Sequence, residues 1–208
     1  MKTIDQILEM FPDTIAEDWT QQEKGKGWKY KTATVESTVH LEGIVFGSAQ
    51  VSGNAWVFGD AQVSGNAQVS GDAWVYGNAW VSGDARVFGD AQVSGDAWVY
   101  GDAQVSGDAW VYGDARVYGD ARVYGDAWVL SPLHILGTRH SLTHCKRGYI
   151  QIGCHCHRIS TWQKRYAEIG EKEGYTDAQI EEYGLYIDLF AKRDLVVFGA
   201  SEPSEVEE

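Results

Sequence analysis

Residues 51–62 read V-S-G-N-A-W-V-F-G-D-A-Q, and the pattern V-x-G-[D/N]-A-x then continues without a break. Fourteen valines stand at a spacing of six from Val51 to Val129, and each of the first thirteen is followed by Gly two residues later and Ala four residues later. Val is β-branched and favours a pleated strand, whereas Gly-Asp and Gly-Asn supply corners, because Gly tolerates φ > 0 and Asp or Asn bonds its own backbone. Each unit is therefore a short strand plus a turn. Units this short cannot bury their apolar faces alone, so a sustained period signals a solenoid.

The unit V-x-G-[D/N]-A-x resembles the hexapeptide repeat of left-handed parallel β-helices, in which three hexads make one triangular coil, the aliphatic residue points inward and a small residue fills the space beside it. The resemblance implies a mainly β fold: a left-handed parallel β-helix solenoid over residues 31–130, preceded by a short N-terminal helix and lead-in segment (1–30) and followed by a small α+β module (131–195) and an acidic tail (196–208). Fourteen hexads make between four and five coils, roughly 22 Å tall at the strand spacing of a sheet. Val35 and Leu41 begin the solenoid one coil earlier. Only ten residues separate Leu41 from Val51 where twelve would keep phase, so the first coil is expected to be irregular.

An 18-residue coil assigns every third hexad to the same face. One face then carries Trp56 and Phe58, Trp74 and Tyr76, Trp110 and Tyr112, and Trp128; a second carries Trp80, Trp98 and Tyr100, Arg116 and Tyr118; the third is the most polar, with Gln68, Arg86 and Phe88, Gln104, and Arg122 and Tyr124. Such aromatic rows are more apolar surface than a soluble protein leaves wet. Three uses compete: self-association, a stacking platform for sugars or bases, and contact with a larger partner. Hexapeptide-helix proteins usually form homotrimers, so the resemblance implies self-association through Trp56, Trp74, Trp110, Trp128, Trp80 and Trp98, with two different faces meeting at each contact. Thirteen Asp or Asn residues at the corners, from Asn54 to Asp126, should form columns one coil apart; they read as exposed turns that keep the surface soluble.

Of 208 residues 44% are hydrophobic, and nothing is long or apolar enough to span a membrane. Met1 to Met10 lacks a signal-peptide pattern, and three cysteines argue against a secreted disulfide framework, which places the chain in a reducing cytoplasm. Thr3 to Phe11 reads as an amphipathic helix capped by Thr3, ended by Pro12 and protecting the open end of the solenoid. The stretch Gly25-Lys26-Gly27-Trp28 ahead of Thr32-Ala33-Thr34-Val35 resembles the start of phage and prophage hexapeptide-repeat proteins.

The formal charge of −13 hides an uneven distribution. From Ser131 to Ala167 there are six Lys or Arg, five His and no carboxylate. Either these cations face the acidic solenoid, or they form an anion pocket in which guanidinium forks and imidazoles hold phosphate or carboxylate. The pocket reading names Arg139, His140, Lys146, Arg147, His155, His157 and Arg158. Leu133 to Thr138, Ser141 to Cys145 and Tyr149 to Cys156 are expected as strands, a helix from about Thr161 to Gly170 is capped by Ser160 or Thr161, and a second from Asp177 to Lys192 is capped by Thr176, with Ile180, Tyr183, Leu185, Ile187, Leu189 and Phe190 packing on the sheet. The residues I-x-I-G-C-H at 150–155, Ser160-x-Trp162, Gly174-Tyr175-Thr176 and Ile180-x-x-Tyr183 resemble a small module at the C-terminal end of many phage and prophage proteins. Cys145, Cys154 and Cys156 with one His make a zinc site feasible, but C-x-C is a weak signal, and buried structural cysteines are the preferred reading, so no metal and no cofactor is assigned.

No catalytic residue is assigned either. Hexapeptide-helix acyltransferases typically use a His base and a protruding loop, whereas this solenoid has no inserted loop, and its only His before residue 134 is His40. The resulting expectation is a non-enzymatic phage-type homotrimer, in the cytoplasm of an infected bacterial host, that sequesters a small phosphorylated ligand such as a nucleotide immune signal in inter-subunit pockets. A structural or assembly protein of a phage particle is the alternative. Long nucleic acid is disfavoured, because the acidic corners would repel its phosphates.

Overall fold

The structure is a computed structural model that describes residues 2–125, the backbone of 127–128, and residues 131–199. Short strands wind into three parallel sheets, and within each sheet a residue pairs with the one eighteen positions on: Trp74 with Gln92, Trp80 with Trp98, Arg86 with Gln104. That pairing sorts the outward residues onto the three faces expected from the sequence. Every repeat Val from Val51 to Val123 and every Ala from Ala49 to Ala121 is fully buried. The core is thus a stack of β-branched and small side chains, each buried Val contributing about 1.5–3 kcal/mol by leaving water.

Corners depend on glycine. Gly83 has φ +70°, and a Cβ there would meet the backbone N of Gly101 at 2.9 Å, so the residue is needed both for its left-handed conformation and for the approach of the next coil. The first coil is irregular, as the spacing predicts. Thr34 pairs with Gln50 and His40 with Trp56, two positions short of the later register, whereas Ile44 already pairs with Gln62 in full register. The shortened corner is Glu42-Gly43, whose two amides both donate to Val57 O at 2.7 and 3.1 Å.

Helix α1 (Ile4–Met10) carries the expected Thr3 cap as a capping box with Gln6. Its Ile7 packs with Trp19 and Ile44, beside Trp28, Tyr30 and Phe46. These partners include outward residues of the first coil, so α1 braces a flank. The exposed backbone edge is met instead by the stretch 22–27, where Leu41 N donates to Lys24 O and Gly27 N donates to Leu41 O. The sheet also begins earlier than residue 31: Trp28–Tyr30 pairs with Ile44–Val45 and, antiparallel, with Trp19–Gln21.

At the other end the register slips by one. Ala127 aligns with Trp110 and Trp128 with Val111. The expected fourth rung of the tryptophan row therefore leaves the 18-residue register, since a one-residue shift exchanges inward and outward positions; the Trp128 side chain lies outside the described residues, as does Asp126.

The C-terminal module is a four-stranded antiparallel sheet, His134–Leu136, Ser141–Lys146, Tyr149–Ile152 and His155–Arg158, in sequential order. The single strand expected over Tyr149 to Cys156 is thus a hairpin, reversed at Gly153, which has φ +55°. Helix α2 (Ile159–Lys172) starts directly after that strand with Arg158 at the N-cap, not Ser160 or Thr161. Helix α3 (Asp177–Phe198) has the expected Thr176 capping box, completed by Gln179, and runs past Lys192. Both helices cover one side of the sheet through Leu142, Ile150, Ile152, Trp162, Tyr183, Ile187 and Phe190. Leu185 and Leu189, expected on that face, are exposed.

The opposite side of the sheet docks on the last described coil. Asp120 accepts from Ser141 Oγ at 2.7 Å and pairs with His134 Nε2 at 3.0 Å, and Ser131 Oγ accepts the Arg116 amide at 2.8 Å. Phe198, at the end of α3, packs against the valine core. The module therefore closes the C-terminal end of the solenoid.

Candidate functional site

Two surfaces stand out, the aromatic faces and the cation-rich module. On the first face, His40 and Trp56 stack with ring centroids 4.2 Å apart, Trp56 and Trp74 at 5.4 Å, and Phe58 and Tyr76 at 5.0 Å. On the second, Trp80 meets Trp98 edge to face at 5.1 Å, Tyr100 stacks on Tyr118, and Arg116 lies over Trp98. Trp56, Trp74, Trp98 and Trp110 are each 36–43% exposed. Trp80 is less so, and its indole donates to Ser64 Oγ at 2.9 Å. On the first face His40, Trp56 and Trp74 follow the one-coil rise, so they cover one another's faces and turn their edges outward.

At the corners, the amides of Asn54, Asn66 and Asn78 donate to Asp72, Asp84 and Asp96 one coil on. Asx columns therefore form, in which each of these amides donates one hydrogen bond to a carboxylate oxygen. Among the described residues, no group of three or more His, Cys, Asp or Glu is arranged to hold a metal ion.

The seven expected ligand-binding residues separate into groups. Arg139 donates to Gly174 O at 2.7 Å and Glu173 O at 2.8 Å and covers the Tyr175 ring. Its cation sits at the C-terminal end of α2, where a helix dipole favours positive charge. His140 Nδ1 is 2.7 Å from Tyr175 Oη, and His155 Nε2 is 3.0 Å from Glu173 Oε1. These three line or flank a narrow cleft of about 30 Å³ walled by Trp162, Tyr166, Tyr175 and Tyr183. His157 lies edge to face on Trp162, and burial, then the charges of His155 and Arg165, hold its pKa below the usual imidazole value.

Lys146 and Arg158 form a second group. Both pair across strands with Tyr149, which puts the three in one row on one face of the sheet, with Lys146 Nζ 5.1 Å and Arg158 Cζ 5.6 Å from the ring centroid. Arg147 points elsewhere: it covers Phe198 and donates to Phe198 O at 3.2 Å.

The cysteines do not gather as a zinc site. Cys154 is exposed in the turn, while Cys145 and Cys156 approach each other at 3.5 Å beside the Tyr124 hydroxyl. His155 and His157 alternate to the helix side, as strand geometry requires. Tyr124, Asp120, Tyr175 and Phe198 are the residues of this region that sequence reasoning passed over; Tyr124 reads as one more outward repeat position, and only the end of the period at Ser131-Pro132 marks its neighbourhood as a junction.

With three parallel sheets around one valine core, the chain is a β-solenoid repeat protein. Its repeats are similar to the family described as the YdcK β-solenoid repeat, which matches residues 49–65, 61–77, 67–83, 79–95, 91–107, 103–117 and 115–131. No curated protein and no solved structure matches the chain. Among the described residues, no helix is long and apolar enough to cross a membrane.

Proposed function

We propose that the chain is a non-enzymatic homotrimer of the left-handed hexapeptide type, phage-related, that acts in the host cytoplasm. The observation that carries this reading is the distribution of aromatic rings. Two of the three faces bear the exposed tryptophans, Trp56, Trp74 and Trp110 on one and Trp98 on the other, and the third bears Gln, Ser and Arg with the single exposed ring of Phe88. A cyclic trimer of three-sided prisms needs two contacting faces and leaves one in water, so the partition matches that closure. The stacked row His40, Trp56 and Trp74 offers edges outward, which suits a flat apolar contact better than stacking on sugars or bases.

In such a trimer the three modules sit together at one end. Lys146 and Arg158, which share the Tyr149 ring, are the residues that suit a small phosphorylated ligand at a subunit boundary, such as a nucleotide signal held without chemistry. Native mass spectrometry of protein from infected cells tests this: a threefold mass with phosphorylated adducts, lost in the Lys146→Ala, Arg158→Ala double variant, is expected, and a trimer without adducts sinks the sequestration. One observation favours a second reading, an assembly protein of a phage particle: Arg139, Arg147, His140 and His155 already have partners within the chain. A transferase is less favoured, because His40 is paired with Glu42 at 3.0 Å and stacked on Trp56.

A further inference from the structure

At the junction of solenoid and module, three reactive groups form a directed chain. The thiol of buried Cys145 donates to Tyr124 Oη at 3.3 Å, and the Tyr124 hydroxyl donates to Cys156 Sγ. Cys145 Sγ also lies 3.5 Å from Cys156 Sγ. Cys145 has a single S–H, and its Sγ also lies 3.7 Å from Tyr149 O; when the proton is given to Tyr124, the hydroxyl proton goes to Cys156 Sγ, and a hydrogen-bond chain polarises toward its last acceptor. Cys156 is half-buried, whereas Cys145 is buried.

From this geometry we propose that Cys156 is a stabilised thiolate and a site of oxidation by hydroperoxides, with Tyr124 and Cys145 as its positioning residues. The acidities agree in direction. The Cys145 hydrogen bond, with Tyr124 and the charge of Lys146 and against burial, lowers the Cys156 pKa to about 6, while the bond to Cys156 and burial raise that of Cys145, and burial raises that of Tyr124. The proton stays on the two donors and leaves the acceptor.

In the reaction, the Cys156 thiolate attacks the terminal oxygen of the hydroperoxide. An S–O bond forms, the O–O bond breaks, and alkoxide or hydroxide leaves and takes a proton from water. Sulfur loses two electrons to the peroxide, and the product is a sulfenic acid. Cys145 Sγ, 3.5 Å from Cys156 Sγ, stands within reach of that product.

The test uses the full chain, treated with hydrogen peroxide at pH 6 in the presence of dimedone and read by peptide mass spectrometry, with exposed Cys154 as the internal control. Dimedone is expected on Cys156 several-fold faster than on Cys154, because the Tyr124 and Cys145 contacts favour the Cys156 thiolate, and Tyr124→Phe, which keeps the ring, should abolish the difference without changing the Cys154 rate. Cys145→Ser serves as the second variant and should slow Cys156 in the same way. Faster labelling of Cys154, or a Cys156 rate unmoved in both variants, overturns the proposal.

Discussion

Trp56 and Trp74, one coil apart, lie with ring centroids 5.4 Å apart and planes within 20° of each other. Each ring therefore covers part of its neighbour's face, and the row shows its edges to the outside. A sugar stacks on an open ring face. Gluco-oligosaccharides added to the protein should leave its tryptophan emission unchanged in intensity and wavelength; saturable quenching would support the platform reading instead.

The corner glycines should tolerate nothing larger. Gly83→Ala places a Cβ 2.9 Å from Gly101 N in a backbone held at φ +70°. The left-handed penalty with the steric push should cost roughly 2–3 kcal/mol, read as a lower denaturant midpoint with unchanged slope. An exposed substitution one position on, Asp84→Asn, should move the midpoint little, because its neighbour Asn66 can bond an amide oxygen as well.

That regularity explains what was legible in the sequence. The Val and Ala positions, the 18-residue pairing and the short first coil all follow from local periodicity, which repeats the same instruction in each hexad. The slip at Trp128, the hairpin at Gly153 and the starting point of α2 do not repeat, and each depends on how the module meets the last coil. The cations were legible as a cluster in sequence but not in space. Arg139 and Arg147 are drawn to the carbonyls of Glu173, Gly174 and Phe198, which are remote along the chain and invisible to spacing.

Arg139 should accordingly behave as a structural residue. Its guanidinium holds the turn between α2 and α3 through two carbonyls and the Tyr175 ring. Arg139→Ala should lower the thermal stability of the module by about 1–2 kcal/mol, while Arg139→Lys, unable to fork, should recover only part of it. An unchanged melting curve with lost anion binding would return Arg139 to the ligand set.

Acid should loosen the same module. His144 is fully buried with Nε2 2.7 Å from Asp194 Oδ1, which also accepts the Gly148 amide at 2.8 Å. Burial pushes the Asp194 pKa up, but the His144 bond, the Gly148 amide and the His144 and Arg147 charges together hold it below the usual carboxylate value. A depressed folded pKa contributes stability that is complete above the unfolded value near 4 and is lost as pH falls through the folded value. Melting curves of the wild type should therefore drop below about pH 4, and Asp194→Asn should remove that part of the drop while costing about 2 kcal/mol at neutral pH. An equal acid sensitivity in both proteins would contradict it.

Sedimentation velocity on the wild type and on the Trp74→Glu, Trp98→Glu pair, one substitution on each aromatic face, tests self-association most directly. The account predicts a threefold mass for the wild type and a folded monomer for the variant, with the β signal in circular dichroism retained because both side chains lie outside the valine core. A monomeric wild type, or a variant that remains trimeric, would contradict it.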